Sequence, residues 1–186
     1  MSVRAKLAPA ASGAIDGVSR AVGRVQTALT CRSAGSGPLV VLDIDNTLAD
    51  TWPTLQRSWS SERARLAVLP VLGDMKAVAH DGPLGNGARV IFISHRRLWQ
   101  WPVTFAWLRR NGFDARLSNV VLVASPSEKL GHLRRCATGR EVTYWDDLSH
   151  GHESGTVEFY TEVIAEVGRI GVDYHGYDEI LAISGR

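Results

Sequence analysis

A chain of 186 residues, 45% hydrophobic and 22% charged, has the length of one domain and the composition of a soluble globular protein. That excludes a disordered, collagenous or coiled-coil chain, and no apolar run approaches the ~20 residues needed to cross a bilayer, so no membrane partner is expected. The net charge of +2 is too weak to indicate nucleic acid by itself. Its distribution is uneven: residues 1–40 carry Arg4, Lys6, Arg20, Arg24 and Arg32 against Asp16 alone. Cys31 and Cys136 are too few for a disulfide framework or a four-ligand zinc site, so reduced thiols in a cytoplasmic protein are expected. No apolar h-region stands near the start, and no secretory signal is expected.

Residues 1–13 are small and polar and read as mobile. From Ser12, a plausible N-cap, Ile15, Val18, Val22, Val25 and Leu29 recur at spacings of three and four, which predicts an amphipathic helix. Such stripes usually face a core, so docking on the body is expected; the helix also offers a contact for a homo-oligomer. The segment SAGSGP, 33–38, reads as a linker. Residues 1–37 thus form a helix and linker, and 38–186 the main domain.

Four short apolar runs follow: Leu39–Ile44, Val90–Ile93, Val120–Ala124 and Val142–Trp145. Continuous β-branched runs of this length read as strands buried on both faces. Helical stretches at 102–111 and 126–137 separate them, and a helix at 157–169 precedes a possible strand at 172–177. The alternation predicts an α/β fold, a Rossmann-like parallel sheet flanked by helices. Residues 51–87, with Trp52, Pro53, Trp59, Pro70 and a glycine-rich turn at 82–87, fit the alternation poorly. They read as a small insertion over one end of the sheet.

In open α/β sheets, ligands bind at the carboxyl ends of the strands. Asp43, Asp45 and Thr47 follow the first predicted strand, Ser94, His95, Arg96 and Arg97 the second, and Asp146 and Asp147 the fourth. Lys129 comes shortly after the third, at a helix start. Gathering that many carboxylates is costly unless a cation compensates, and a hard divalent ion with oxygen ligands, Mg²⁺ before others, is the natural answer. With Lys129 it makes a pocket for an anion, and a phosphate is the obvious guest. One carboxylate can attack phosphorus while a neighbour two residues on moves the proton.

The set Asp43-x-Asp45-x-Thr47, Ser94, Lys129 and Asp146-Asp147 resembles the four motifs of the haloacid dehalogenase superfamily, in order, over roughly residues 38–150. The resemblance implies a phosphatase of the DxDxT type, with Asp43 as nucleophile and Asp45 as general acid and base. It implies Mg²⁺ held by Asp43, the Asp45 backbone carbonyl, and Asp146 or Asp147. It implies phosphate contacts from Ser94, His95 and Lys129, with Thr47 beside them buttressing the turn. The 51–87 segment would be a minimal cap.

Bland alternatives stand beside each residue. Ser94 and the Asp146-Asp147 pair suit helix and turn capping, and Lys129 suits a solvated helix face. Arg97, Arg109, Arg110 and Arg116 suit a solvated basic face, while His150 and His152 are poor ligands for Mg²⁺. Trp52, Trp99 and Trp101 suit packing better than stacking on a base. The leading expectation is a Mg²⁺-dependent phosphomonoester hydrolase acting on a small phosphorylated molecule. The alternatives are a nucleic-acid 3′-end phosphatase and a non-catalytic phosphate- or partner-binding module.

Overall fold

The structure, a computed structural model, describes residues 9–185. Of residues 1–13, expected to be mobile, 1–8 lie outside the described residues and 9–13 open a helix instead. Helix α1, Pro9–Ala34, begins ahead of the predicted cap Ser12. A proline suits a first helical turn, where its missing N–H costs nothing.

Five strands form one parallel sheet: β1 (Leu39–Leu42), β2 (Arg89–Ser94), β3 (Val120–Leu122), β4 (Val142–Trp145) and, fifth in the sheet, β7 (Asp173–His175), in the order β3-β2-β1-β4-β7. All four apolar runs became strands, and the possible fifth is β7. Between β4 and β7 lies a two-stranded antiparallel hairpin, β5 (Ser149–His150) and β6 (Glu158–Phe159). Gly151 holds it at φ 80°, where a Cβ would stand 2.6 Å from the Thr156 carbonyl oxygen. The hairpin takes the start of the predicted 157–169 helix, which runs instead as α8, Thr161–Ile170 (α2 to α7 are placed below). A last helix, α9 (Tyr177–Ser184), was not read from the sequence.

Alternation along the strands gives the sheet two apolar faces. Val40, Leu42, Val90 and Phe92 pack on one side against Trp107 and Leu108 of α6, Trp101–Arg110. Leu39, Val41, Ile91 and Ile93 pack on the other against Leu133 of α7, Glu128–Cys136, and Val167 of α8. Each such fully buried side chain contributes about 1.5–3 kcal/mol, which is why continuous apolar runs belong in this sheet.

The 51–87 segment is not one insertion over a sheet end. Helices α2 (Trp52–Leu55) and α3 (Glu62–Ala67) stand above the strand ends; Ser61 caps α3, accepting from the Ala64 N–H at 3.1 Å. The rest folds back as α4 (Gly73–Met75), a π-helical stretch Lys76–Asp81, and α5 (Gly82–Gly85). Met75 and Ala79, both fully buried, place this half in the main core rather than in a cap.

Helix α1 docks, but by the opposite face to the one expected. Val18 and Val25 are 56% and 59% exposed, and Val22 and Leu29 are also exposed. The buried face is small and polar. Ser19 donates to the Leu122 carbonyl at 3.1 Å, Gln26 to Leu117 at 2.7 Å and Thr30 to Ser118 at 2.8 Å, while Thr27 meets His132 Nδ1 at 2.7 Å. Gly23 allows the close approach, since a Cβ there would stand 3.0 Å from Val121. The helix therefore answers backbone carbonyls, which an apolar stripe could not do. Cys31 on α1 and Cys136 on α7 are buried, free and 3.4 Å apart at sulfur. The Cys136 contact draws the Cys31 thiol down to about 7, against the opposing effect of burial.

Candidate active site

The order β3-β2-β1-β4 reverses direction between β1 and β4, so their carboxyl ends border the crevice where such folds take ligands. Asp43 leaves β1 with its N–H held by the Trp145 carbonyl at 2.9 Å. The next residues turn sharply: Leu48 and Ala49 both donate to the Ile44 carbonyl, and Asn46 takes φ 58°, a region asparagine tolerates. Across the crevice Asp146 and Asp147 leave β4. Leu148 follows at φ 43°, and its N–H donates to Asp146 Oδ1 at 2.9 Å. Asp146 thus does cap the turn, as its bland reading held, with one of its oxygens. A leucine in the left-handed region is strain of about 1–3 kcal/mol, held by the packing around it.

The predicted residues converge on a small cavity of about 110 Å³, lined by Asp43, Asp45, Ser94, His95, Lys129, Asp146 and Asp147 among others. Lys129, on the first turn of α7, is buried with its Nζ 2.8 Å from Asp43 Oδ1 and 2.6 Å from Asp146 Oδ2. It is not a solvated helix residue. Ser94, at the end of β2, is 1% exposed, and its hydroxyl has no hydrogen-bond partner among the described residues. A buried unpaired hydroxyl costs about 1–3 kcal/mol, so its presence at a cavity wall marks a place where a ligand completes the bonding. His95 Nε2–H donates to the Ala124 carbonyl at 3.0 Å and fixes the ring at the cavity mouth. Thr47 is fully buried and does not line the cavity; its hydroxyl accepts from the Asp147 N–H at 3.3 Å, tying the two loops together. It buttresses the turn instead of touching a phosphate.

Asp43, Asp146 and Asp147 offer one oxygen each within 4.8 Å of one another, all buried. Three carboxylates against one ammonium leave an excess of negative charge in a water-poor site. Burial, with the other carboxylates adding and Lys129 opposing, pushes Asp43 up to about 8. Burial likewise raises Asp147, although His152 and Ser149 oppose it. The donor set is all oxygen and the charge excess asks for a divalent cation, so these three residues fit Mg²⁺. The Asp45 carboxylate is turned away from them and takes no part, which leaves only its backbone carbonyl for the role expected of it.

Asp45 instead receives a two-pronged ion pair from Arg96, at 2.7 Å to each oxygen. Arg96 is itself buried and donates to Thr104 at 3.0 Å. Burial pushes Asp45 up, but Arg96 outweighs it and holds the carboxyl below the usual range. This pair was not legible in the sequence. Nor were Tyr144, whose hydroxyl donates to Asp146 Oδ2, and Ser149, whose hydroxyl donates to Asp147 Oδ2 and meets His152 Nε2 at 2.7 Å. A signal for Tyr144 existed: it stands two residues before Asp146, on the same face of a strand.

The small cavity shares Asp45, Asn46, His95 and Ser149 with a larger open chamber of about 590 Å³. Its walls come from α2 and α3, from residues 95–100, from the β5 hairpin and from Ser19 of α1. Trp99 lies on this wall, 63% exposed. Trp101 does not; it stacks on Phe105 and donates to the Val120 carbonyl at 3.1 Å. Trp52 packs edge-on against His152.

No family model matches the sequence, and no curated protein matches it either. Solved structures do. The class C acid phosphatase from Bacillus anthracis aligns over 97% of this chain and 86% of its own, with 16% identity and a TM-score of 0.49. The same class of enzyme from that organism with tungstate bound aligns over 96% and 85%, with 16% identity and a TM-score of 0.50. The latter likeness shows the fold: the α/β parallel sheet expected from the alternation of apolar runs and helical stretches. Among the described residues no helix is long and apolar enough to cross a membrane.

Proposed function

We propose that this chain is a phosphomonoester hydrolase that works through an aspartyl-phosphate on Asp43 and uses Mg²⁺. One observation carries the reading: a buried nucleophile candidate, an orphaned serine hydroxyl, a buried lysine and a divalent-cation donor set meet around one phosphate-sized cavity. The acid phosphatase with tungstate bound shares the fold. The site residues, not that likeness, are the argument.

In this mechanism Asp43 attacks phosphorus, the bond to the leaving oxygen breaks, and the phosphoryl group rests on the Asp43 carboxylate. Lys129 and the Ser94 hydroxyl hold the non-bridging oxygens. Asp45, at the junction of the two cavities, first takes a proton from solvent in the chamber, leaving the Arg96 pair that keeps it ionised, and then gives that proton to the leaving oxygen on the chamber side. It then takes a proton from the water that attacks phosphorus, which releases phosphate and restores Asp43. A divalent cation on Asp43, Asp146 and Asp147 supplies the positive charge that lets an anionic ester approach an anionic nucleophile. The substrate of this reading is a small phosphorylated molecule. Two of the arginines on the chamber wall, Arg96 and Arg65, are committed to Asp45 and Glu62, which supports a small substrate over a nucleic acid.

The test is phosphate release from an aryl phosphate and a set of small phosphomonoesters, with Mg²⁺ and after chelation. Release that chelation stops and Mg²⁺ restores is expected; folded, Mg²⁺-binding protein that releases nothing from any ester overturns the reading.

The Arg96 ion pair adds a sharper expectation. An arginine beside an aspartate lowers its pKa by about 1–3 units. Arg96→Met removes that pull, so the Asp45 limb of the kcat/KM profile is expected to move to higher pH by about that amount. An unmoved limb separates Arg96 from the proton transfer.

A further inference from the structure

The geometry points to a second anion site in the chamber: we propose that the substrate's leaving group carries a carboxylate or a second phosphate, and that Arg97 reads it. The inference rests on the hydrolase reading for the direction of the leaving group. It rests on the chamber itself for the charge.

The chamber wall contains two acids, Asp45 and Glu62. Each is already answered by an arginine, Asp45 by Arg96 and Glu62 by Arg65, at 3.0 and 2.6 Å for the latter. Arg97 remains. Among the described residues no carboxylate lies within ion-pair distance of it. Its guanidinium stands over the Trp99 ring, 5.2 Å from the centroid. The Arg97 backbone N–H donates to Gln100 Oε1 at 2.7 Å, which fixes the turn that carries the side chain. Stacking of this kind orients a guanidinium while leaving its N–H edge free for a planar or tetrahedral anion. Arg97 is exposed to solvent, and the ring and the fixed turn hold it against the chamber wall.

Position gives the same answer. Arg97 follows β2 by three residues, beside His95 at the mouth of the phosphate cavity. A leaving group protonated by Asp45 departs into the chamber that Arg97 lines. Arg97 is exposed, so water answers its charge in the open chamber; an anionic leaving group replaces that water with charge-assisted hydrogen bonds, which a neutral one cannot do.

The experiment uses the full chain with Asp43→Asn, which binds ligand without turning it over. Calorimetry compares matched pairs: glycerol phosphate against phosphoglycerate for a carboxylate, and a hexose monophosphate against the hexose bisphosphate for a phosphate. A charge-assisted contact of this type predicts about 10-fold or greater tightening for the member with the extra anion in at least one pair. The pair that responds identifies the anion. Adding Arg97→Gln is expected to bring that ratio within twofold, and Arg97→Lys to restore part of it. Ratios within twofold while Arg97 is intact overturn the proposal, as does a preference that survives Arg97→Gln. A preference found in a protein that hydrolyses no ester keeps the anion site and discards the hydrolase.

Discussion

Asp43→Asn is expected to abolish phosphate release while making the metal-free protein more stable. The two effects have one source. The amide nearly matches the carboxylate in shape, and its oxygen still accepts from Lys129, which now sits 2.8 Å from Asp43 Oδ1. As a nucleophile it is lost, and removing a catalytic nucleophile costs about 10⁴-fold or more in kcat. As a charge it is also lost. Burial has pushed Asp43 up to about 8, so at pH 8 and above the folded chain carries an ionised carboxylate it disfavours. A group whose pKa is raised by folding weakens the fold as pH climbs from the unfolded value toward the folded one. Asparagine removes that penalty. The expected result is a higher thermal midpoint than wild type at pH 8 without divalent cation, a difference that shrinks as pH falls and closes only near the unfolded carboxylate value, at about pH 4. Retained turnover places the nucleophile elsewhere. A lowered midpoint at pH 8 refutes the charge argument.

Lys129→Met is expected to act in the other direction on stability and the same direction on turnover. The lysine stands with 4% of its side chain exposed between two carboxylates equally hidden, at 5% and 2%. Its charged form is strongly favoured there, because both aspartates outweigh the cost of burial. Breaking a buried ion pair from one side costs about 3–5 kcal/mol, since the stranded charge remains. For a chain of this size that is roughly 6–20 °C in thermal midpoint. Lowering the pH from 8 to 6 protonates Asp43 and is expected to return part of the loss. Mg²⁺ is expected to return stability without returning activity, because the phosphate loses its ammonium. Differential scanning with and without Mg²⁺ across that range, beside phosphate release, reads all three. The double variant with Asp43→Asn should lose less stability than the sum of the singles predicts, since the two residues answer each other.

These expectations were open to the sequence because Asp43, Ser94 and Asp146 stand at the carboxyl ends of strands, and Lys129 opens the helix after β3. A run such as Leu39–Leu42 can only be buried on both faces, so the polar residue after it must emerge at a sheet end. Four such ends in one parallel sheet bring Asp43, Ser94, Lys129 and Asp146 together without any knowledge of loops. What joins residues across the sheet stayed hidden. Asp45 and Arg96 are paired over 51 positions, and nothing local to either announces the other. The orientation of α1 was hidden for a different reason. Periodicity shows that Val18, Val22, Val25 and Leu29 share a face, but not which face meets the body. The surface awaiting the helix is lined with carbonyl oxygens, and hydroxyls won that contest over methyl groups. The 51–87 segment resisted reading because its helices are only one or two turns long, too short for a period to show.

The docking of α1 has a consequence for how the fold ends. β3 lies at the margin of the sheet, with β2 on one side and no strand on the other. A bare margin of this kind is a template on which a second chain can add a strand. Here the Leu122 carbonyl is taken by the Ser19 hydroxyl and the Val120 carbonyl by the Trp101 indole. The helix that looks like an appendage therefore seals the sheet against growth together with Trp101 of α6. A boundary drawn at the SAGSGP linker would cut away the seal and leave a strand open to aggregation.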